Sequence, residues 1–268
     1  MAKILNKAKK TKNDEFYTLY EDIEKELKYY SEYFENKVVY CNCDTKDSNF
    51  YKYFKENFEV LKLKDLLISD GLDFRSEESI NLLKKCDVVV TNPPFSLAGD
   101  FLAQLVDYNK DYIFIGHDTF ITLKLPFALF REGKFFVGNN KVRDFVTPEK
   151  EIKSVNCHWF TNLKDYVKHK EPLNIKITYE EGKKLNLYEQ IDDFPEILGV
   201  NRIKDIPIDY DGLISVPIIT LIFKDLESKG FKIIDNSKGY ISKSGKKGNR
   251  FKVNGKTKFD RLVIKKSV

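Results

Sequence analysis

Residues 87 to 96 read Asp-Val-Val-Val-Thr-Asn-Pro-Pro-Phe-Ser, a β-branched apolar run that stops at two prolines. Val88, Val89 and Val90 suit a buried strand, and the run has no helical periodicity. The prolines end any ladder, because neither can donate a backbone hydrogen bond. Pro93 also bars Asn92 from the right-handed helical region, which leaves the Asn92 amide on a stiff, extended backbone at the strand's carboxyl edge. In open α/β sheets ligands bind at that edge. By average composition, Asn-Pro-Pro-aromatic arises by chance in about one chain of this length in 500.

The surrounding pattern supports such a sheet. An amphipathic helix is expected from Asn13, Asp14 or a later start at Thr18 to about Phe34, on Leu19, Ile23, Leu27 and Tyr30. Strands are expected at Lys37–Cys43, Glu59–Leu63, Asp87–Thr91, Tyr112–Gly116, Phe135–Gly138 and Val155–Phe160. Helices are expected at Ser48–Asn57, Ile80–Lys85 and Phe101–Asn109. Strands alternating with helices over about 160 residues predict βαβ units in a mostly parallel central sheet flanked by helices. After about Leu163 the texture changes to scattered prolines and short strands, predicting a smaller irregular or β-rich region. We place the boundary at 163/164, with residues 1–36 as an amino-terminal arm and helix. Val253-Asn254-Gly255-Lys256 predicts a hairpin turn between Arg250–Val253 and about Leu262–Lys265. Ser237–Asn249 reads as a mobile basic loop.

The chain has 268 residues with a net charge of +5, but the charge is unevenly spread. Residues 1–12 hold five lysines and no acid, and residues 238–268 hold eleven basic side chains against Asp260 alone. Of totals of 46 basic and 41 acidic side chains, 30 and 40 remain between those ends. An acidic body with basic ends suits a polyanion gripped at its margins, and Lys243, Lys246, Lys247, Arg250 and Lys252 are the candidate phosphate contacts. Charge alone does not separate DNA from RNA. Cys41, Cys43, Cys86 and Cys157 include no Cys-x-x-Cys pair, and His117, His158 and His169 do not cluster, so reduced thiols and no metal are expected. The longest apolar run, Leu213–Phe223, is interrupted and too short to span a membrane, and the amino terminus lacks a signal-peptide core. A cytoplasmic monomer is the expectation.

The tetrapeptide has a chemical reading. Asn-Pro-Pro-aromatic after a strand is the signature of enzymes that methylate planar amino groups, whose nitrogen lone pair is withdrawn into the ring. Asn92 Oδ1 and the Pro93 carbonyl can accept the two amino hydrogens and return density to nitrogen. Pro93 and Pro94 hold that carbonyl in place beforehand, and Phe95 can stack on the base. The methyl donor for such chemistry is S-adenosylmethionine, and no metal is needed. The turn after the first strand, Cys41-Asn42-Cys43-Asp44-Thr45-Lys46-Asp47-Ser48, has no glycine, unlike the usual nucleotide-binding turn. Asp44 can still accept an ammonium group, and Ser48 and Asn49 open a helix whose free amides favour a carboxylate.

Taken in order, several segments resemble the EcoRI-type adenine-specific DNA methyltransferases. They are Asn13–Thr18, Tyr40–Asp44 with Ser48-Asn49-Phe50, Asp73–Glu78, Val90–Ser96, Trp159–Leu163, Ile206–Gly212 with Val216-Pro217-Ile218, and Val253–Lys256. The resemblance implies a Rossmann-like class I methyltransferase domain at 1–163 and a target-recognition region at 164–268. It implies S-adenosylmethionine as donor, held by Phe16, Tyr17, Thr18, Cys43, Asp44, Ser48 and Asn92, with Asp73 and Phe74 beside its adenine. It implies Asn92, Pro93, Pro94 and Phe95 as the catalytic group, acting on a flipped-out adenine of double-stranded DNA. A cognate restriction endonuclease acting separately, or an orphan or phage setting, would fit. Two alternatives are an RNA adenine methyltransferase and a catalytically decayed DNA-binding module. Gly116–Thr122 and Ile214-Ser215 depart from the family wording, which bears on target choice.

Overall fold

The structure is a computed structural model that describes residues 17–167, 171–218, 224–226 and 229–267. The chain divides into two compact units, Met1–Lys168 and His169–Val268.

In the first unit seven strands form one sheet. They are β1 (Tyr17–Thr18), β2 (Val38–Cys41), β3 (Asp65–Ile68), β4 (Val88–Thr91), β5 (Asp111–His117), β6 (Phe136–Val146) and β7 (Ile152–Thr161), in the spatial order β1-β6-β7-β5-β4-β2-β3. β3, β2, β4 and β5 run parallel, in the half of the chain where strands and helices alternate. β7 is antiparallel to β5 and to β6, and β1 is antiparallel to β6, so the sheet is mixed. The mixing follows from chain connection. Only residues 147–151 join β6 to β7, too few for a crossover, so the two fold back as a hairpin.

Helices α1 (Tyr20–Leu27), α2 (Asn49–Glu56), α3 (Glu77–Lys85), α4 (Ala98–Asp107) and α5 (Lys124–Arg131) complete the unit. Alternate strand residues build two cores. Val39, Cys41, Val88, Val90, Ile113 and Ile115 pack with Ile23 and Leu27 of α1, Phe50 and Phe54 of α2, and Trp159. Phe114, Phe101, Phe120, Phe135 and Phe160 form an aromatic cluster, with Phe135 stacked on Phe160 at 5.1 Å. Among the described residues of this unit, the exposed large apolar side chains are Tyr17, Val60, Leu72, Val106, Leu123 and Ile152.

Three local expectations need correction here. The second strand is Asp65–Ile68, not Glu59–Leu63. Leu61 and Leu63 are buried, but Lys62 sits at φ 51° and turns the chain, so these leucines are pegs beneath a loop. The first helix is shorter than expected, passing into a 3-10 turn at Lys28–Tyr30. Thr18 does not cap it, since Leu19 occupies that position without a side-chain bond.

The second unit is β-rich. Strands β8 (Tyr188–Ile191), β9 (Phe194–Val200), β10 (Leu213–Pro217), β11 (Phe231–Asn236) and β12 (Arg261–Lys266) lie in the order β11-β12-β10-β9-β8. β9 and β10 are parallel, and the other pairs are antiparallel. Arg261, 3% exposed, ties three strands together through Nη2 to the Val200 and Ser215 carbonyls (2.6 and 2.8 Å) and Nε to Ser215 Oγ (2.7 Å). Ser215, one of the departures from the family wording, therefore has a structural task. The expected hairpin turn exists, with Asn254 at φ 51° and Gly255 at φ 75°. It joins Lys252–Val253 to Lys256–Thr257, while residues 261–266 pair with β10 and β11 instead. The expected basic loop is partly helical at Ser237–Lys243, capped by Asn236 Oδ1 accepting from the Gly239 amide at 2.8 Å. Among the described residues no helix is long and apolar enough to cross a membrane.

Candidate active site

After β2 the chain moves to β3 on one side and then to β4 on the other, so the strand order reverses between β2 and β4. The carboxyl ends of these two strands, Cys41 and Thr91, therefore flank a crevice suited to ligands. The crevice is organised by Thr91. Its hydroxyl donates to Asp44 Oδ2 at 2.6 Å and accepts from the Cys43 amide at 3.2 Å. One fully buried side chain thus joins the turn after β2 to the tetrapeptide after β4.

Thr18 of β1 makes a second join. Its hydroxyl accepts from Asn92 Nδ2 at 3.3 Å, and its carbonyl accepts from Asn49 Nδ2 at 2.9 Å at the start of α2. The Asn92 amide plane is thereby fixed. Pro94 precedes a 3-10 turn at Phe95–Leu97, with the Leu97 amide donating to the Pro94 carbonyl at 2.9 Å. The half-buried Phe95 ring meets the edge of Phe145 at 6.0 Å.

Asp44 is 8% exposed, and among the described residues its neighbours are the neutral donors Thr91 and Ser48 rather than a cation. Burial pushes its carboxyl up to about 6, against hydrogen bonds from Thr91 and Ser48 that pull it down. The Ser48 hydroxyl also caps α2 by accepting from the Tyr51 amide at 3.2 Å. Gly71, at φ +86°, turns its amide onto the Asp44 carbonyl at 3.3 Å. A buried carboxylate held by neutral donors lacks a cation, and the ammonium of S-adenosylmethionine would supply one. The residues present fit that donor.

Comparison with known proteins identifies the family. The family described as "Adenine-specific methyltransferase EcoRI" matches residues 4–71 and 67–267. The chain belongs to this family. Type II methyltransferase M.EcoRI of Escherichia coli is 38% identical, over 98% of this chain and 96% of the relative. M.MgeORF184P of Mycoplasma genitalium is 33% identical over 97% and 98%, and M.MpnI of Mycoplasma pneumoniae 33% over 97% and 97%.

Within the family frame, the structure brings Thr18, Cys43, Asp44, Ser48 and Asn92 to one sheet edge. Phe16 lies outside the described residues, and Tyr17 is 47% exposed beside it. Asp73 is exposed and accepts from the Arg75 guanidinium at 2.9 and 2.6 Å, while the Phe74 ring is buried against Phe101 at 5.3 Å. The basic candidates divide. Lys243 pairs with Asp235 at 2.6 Å, Lys246 bonds the Asp193 carbonyl, and Arg250 holds Asp260 through two 3.1 Å bonds. Lys247 and Lys252 are exposed. The motifs assign Thr91 no role, and they give Asn49 only that of opening the helix after the first strand. The signal for Thr91 was a polar β-branched residue ending an otherwise apolar strand. At the edge of β5, the other departure from family wording, Asp118 meets His158 Nδ1 at 2.5 Å. Burial alone would raise its carboxyl, but the bond and charge of His158 hold it below the usual range.

Proposed function

We propose that this chain is a site-specific DNA methyltransferase that transfers a methyl group from S-adenosylmethionine to the N6 amine of a flipped-out adenine. The observation that carries this reading is the Thr91 hydroxyl bridging the Asp44 turn and the Asn92 tetrapeptide at the switch point. S-adenosylmethionine, when bound, supplies an electrophilic methyl group on a sulfonium. Asp44 accepts the donor's ammonium, and Tyr17, Thr18, Cys43 and Ser48 border its methionine end. Asp73 and Phe74 lie by its adenine, Phe74 as a packed floor.

Asn92 Oδ1 and the Pro93 carbonyl accept the two hydrogens of the target amine and hold its lone pair toward the methyl group. The Thr18 bond to Asn92 Nδ2 keeps this pair aligned, so little reorganisation is needed during transfer. Phe95 stacks on the extruded base. Lys247 and Lys252 contact DNA phosphates, with Lys243, Lys246 and Arg250 reached only by exchanging their internal partners. The chain acts in the cytoplasm as a monomer, beside a cognate restriction endonuclease or as an orphan.

The test is transfer of labelled methyl from S-adenosylmethionine to unmethylated genomic DNA, with the product hydrolysed to nucleosides. Label in N6-methyladenine is expected. Folded, donor-loaded protein that labels no DNA would defeat the reading, and label in ribosomal or transfer RNA instead would move the substrate to RNA.

A further inference from the structure

Phe259 is 87% exposed, and it is the only phenylalanine among the exposed large hydrophobic residues described. A single exposed apolar side chain is ordinary on its own. Its mounting is not. The Lys258 amide donates to the Phe251 carbonyl at 2.9 Å, and Lys258 Nζ pairs with Glu189 at 2.8 Å. On the other side the Asp260 carboxylate is held by Arg250, and the Asp260 carbonyl accepts from the Ile218 amide at 3.2 Å. The preceding hairpin is anchored too. Asp192 accepts from the Asn254 and Gly255 amides at 3.0 and 2.7 Å, and Phe251 and Val253 enter the core of this unit. A fixed backbone therefore presents one aromatic ring to water.

The surroundings say what the ring meets. Lys252, Lys256 and Thr257 are exposed on the same hairpin, inside the segment with eleven basic side chains and one acid. Protein interfaces are poor in lysine at their cores, whereas a phosphate backbone calls for it. Rigid apolar wedges among basic residues are a means of entering a base stack.

We propose that Phe259 inserts into the base stack of bound duplex DNA, and that this unstacking lowers the cost of turning the target adenine out. The inference rests on the function proposed above and adds the residue that opens the helix.

The experiment uses the full chain, with F259A and F259W, on a duplex carrying the recognition sequence mapped by methylation-sensitive sequencing. A second duplex lacks the base opposite the target adenine, so that extrusion is already easy. F259A is expected to lose about tenfold or more in kcat/KM on the paired duplex and to recover to within about threefold of wild type on the second. F259W should stay near wild type on both. 2-Aminopurine beside the target should brighten on binding wild type and stay dim with F259A. The melting temperature should not change, since the side chain is exposed. Wild-type turnover by F259A on the paired duplex, or equal loss on both, would overturn the proposal. If wild type methylates neither duplex nor genomic DNA, the proposed function itself has failed.

Discussion

Thr91→Val tests the organisation of the crevice with little change of shape. Thr91 is fully buried, so valine fills the same space and removes only the hydroxyl. Two bonds vanish together, the 2.6 Å bond to Asp44 and the 3.2 Å bond from the Cys43 amide. A bond to a charged group is worth about 1.5–3 kcal/mol, and a stranded amide costs about 1–3 kcal/mol. At one pH unit per about 1.4 kcal/mol, the Asp44 carboxyl should rise from about 6 by about one to two pH units. Because the ionised carboxylate binds the donor's ammonium, donor affinity in the wild type should weaken as pH falls through about 6. In the variant that weakening should begin at about pH 7–8, cost about three- to tenfold at pH 7, and largely disappear by pH 8.5. Urea unfolding should show a loss of about 2–4 kcal/mol. Thr91→Ser keeps the hydroxyl and should keep the wild-type midpoint. Calorimetric titration with S-adenosylmethionine from pH 5.5 to 8.5 reads all three proteins. A Thr91→Val protein with wild-type pH dependence would refute the claim that this hydroxyl stabilises the Asp44 charge.

Four other outcomes follow from the same geometry. The Asp44 carboxyl is raised in the folded state, so its contribution to stability is present below its ordinary pKa and lost as pH rises through about 6, on the order of 3 kcal/mol. Asp44→Asn should flatten that part of the stability–pH curve and be more stable at pH 7, yet fail to bind donor; unfolding curves and calorimetry report both. Asn92→Ala should lower the methylation rate by about 100- to 1000-fold while donor affinity falls far less, read by single-turnover transfer against calorimetry. Gly138→Ala puts a Cβ 2.4 Å from Glu26 Oε1 and 2.6 Å from Trp159 Cβ. Glu26 cannot retreat without losing the Asn139 and Asn140 amides, both at 2.8 Å, so denaturation should show about 2–4 kcal/mol of destabilisation. Replacing Lys247 and Lys252 by glutamine should reduce the salt slope of DNA binding by about two, without changing donor affinity, in a fluorescence titration across salt.

Local chemistry determined much of the first unit. The valines of β4 and the prolines after it mark a buried strand and its end wherever they occur, because ladder bonding and side-chain burial are properties of those residues. Ser48 as a helix cap and Asn254-Gly255 as a tight turn were legible for the same reason. The basic carboxyl-terminal segment was legible as charge, and the family resemblance carried the reading of Asn92 to a substrate.

Tertiary structure decided the rest. Asp44 and Thr91 lie 47 positions apart, and Thr18 and Asn92 lie 74 apart, yet strand order makes each pair hydrogen-bonded neighbours. No local preference encodes which strands lie side by side, since that depends on burying both faces of the sheet at once. The same reason explains the misplaced second strand, where Leu61 and Leu63 are apolar enough for a ladder but serve as pegs under a turn. It also explains the pairing of residues 261–266 with β10 and β11, which joins segments far apart in the chain. Which lysines remain exposed to a polyanion, and which are taken up by Asp235, Asp193 or Glu189, was settled by the same long-range packing.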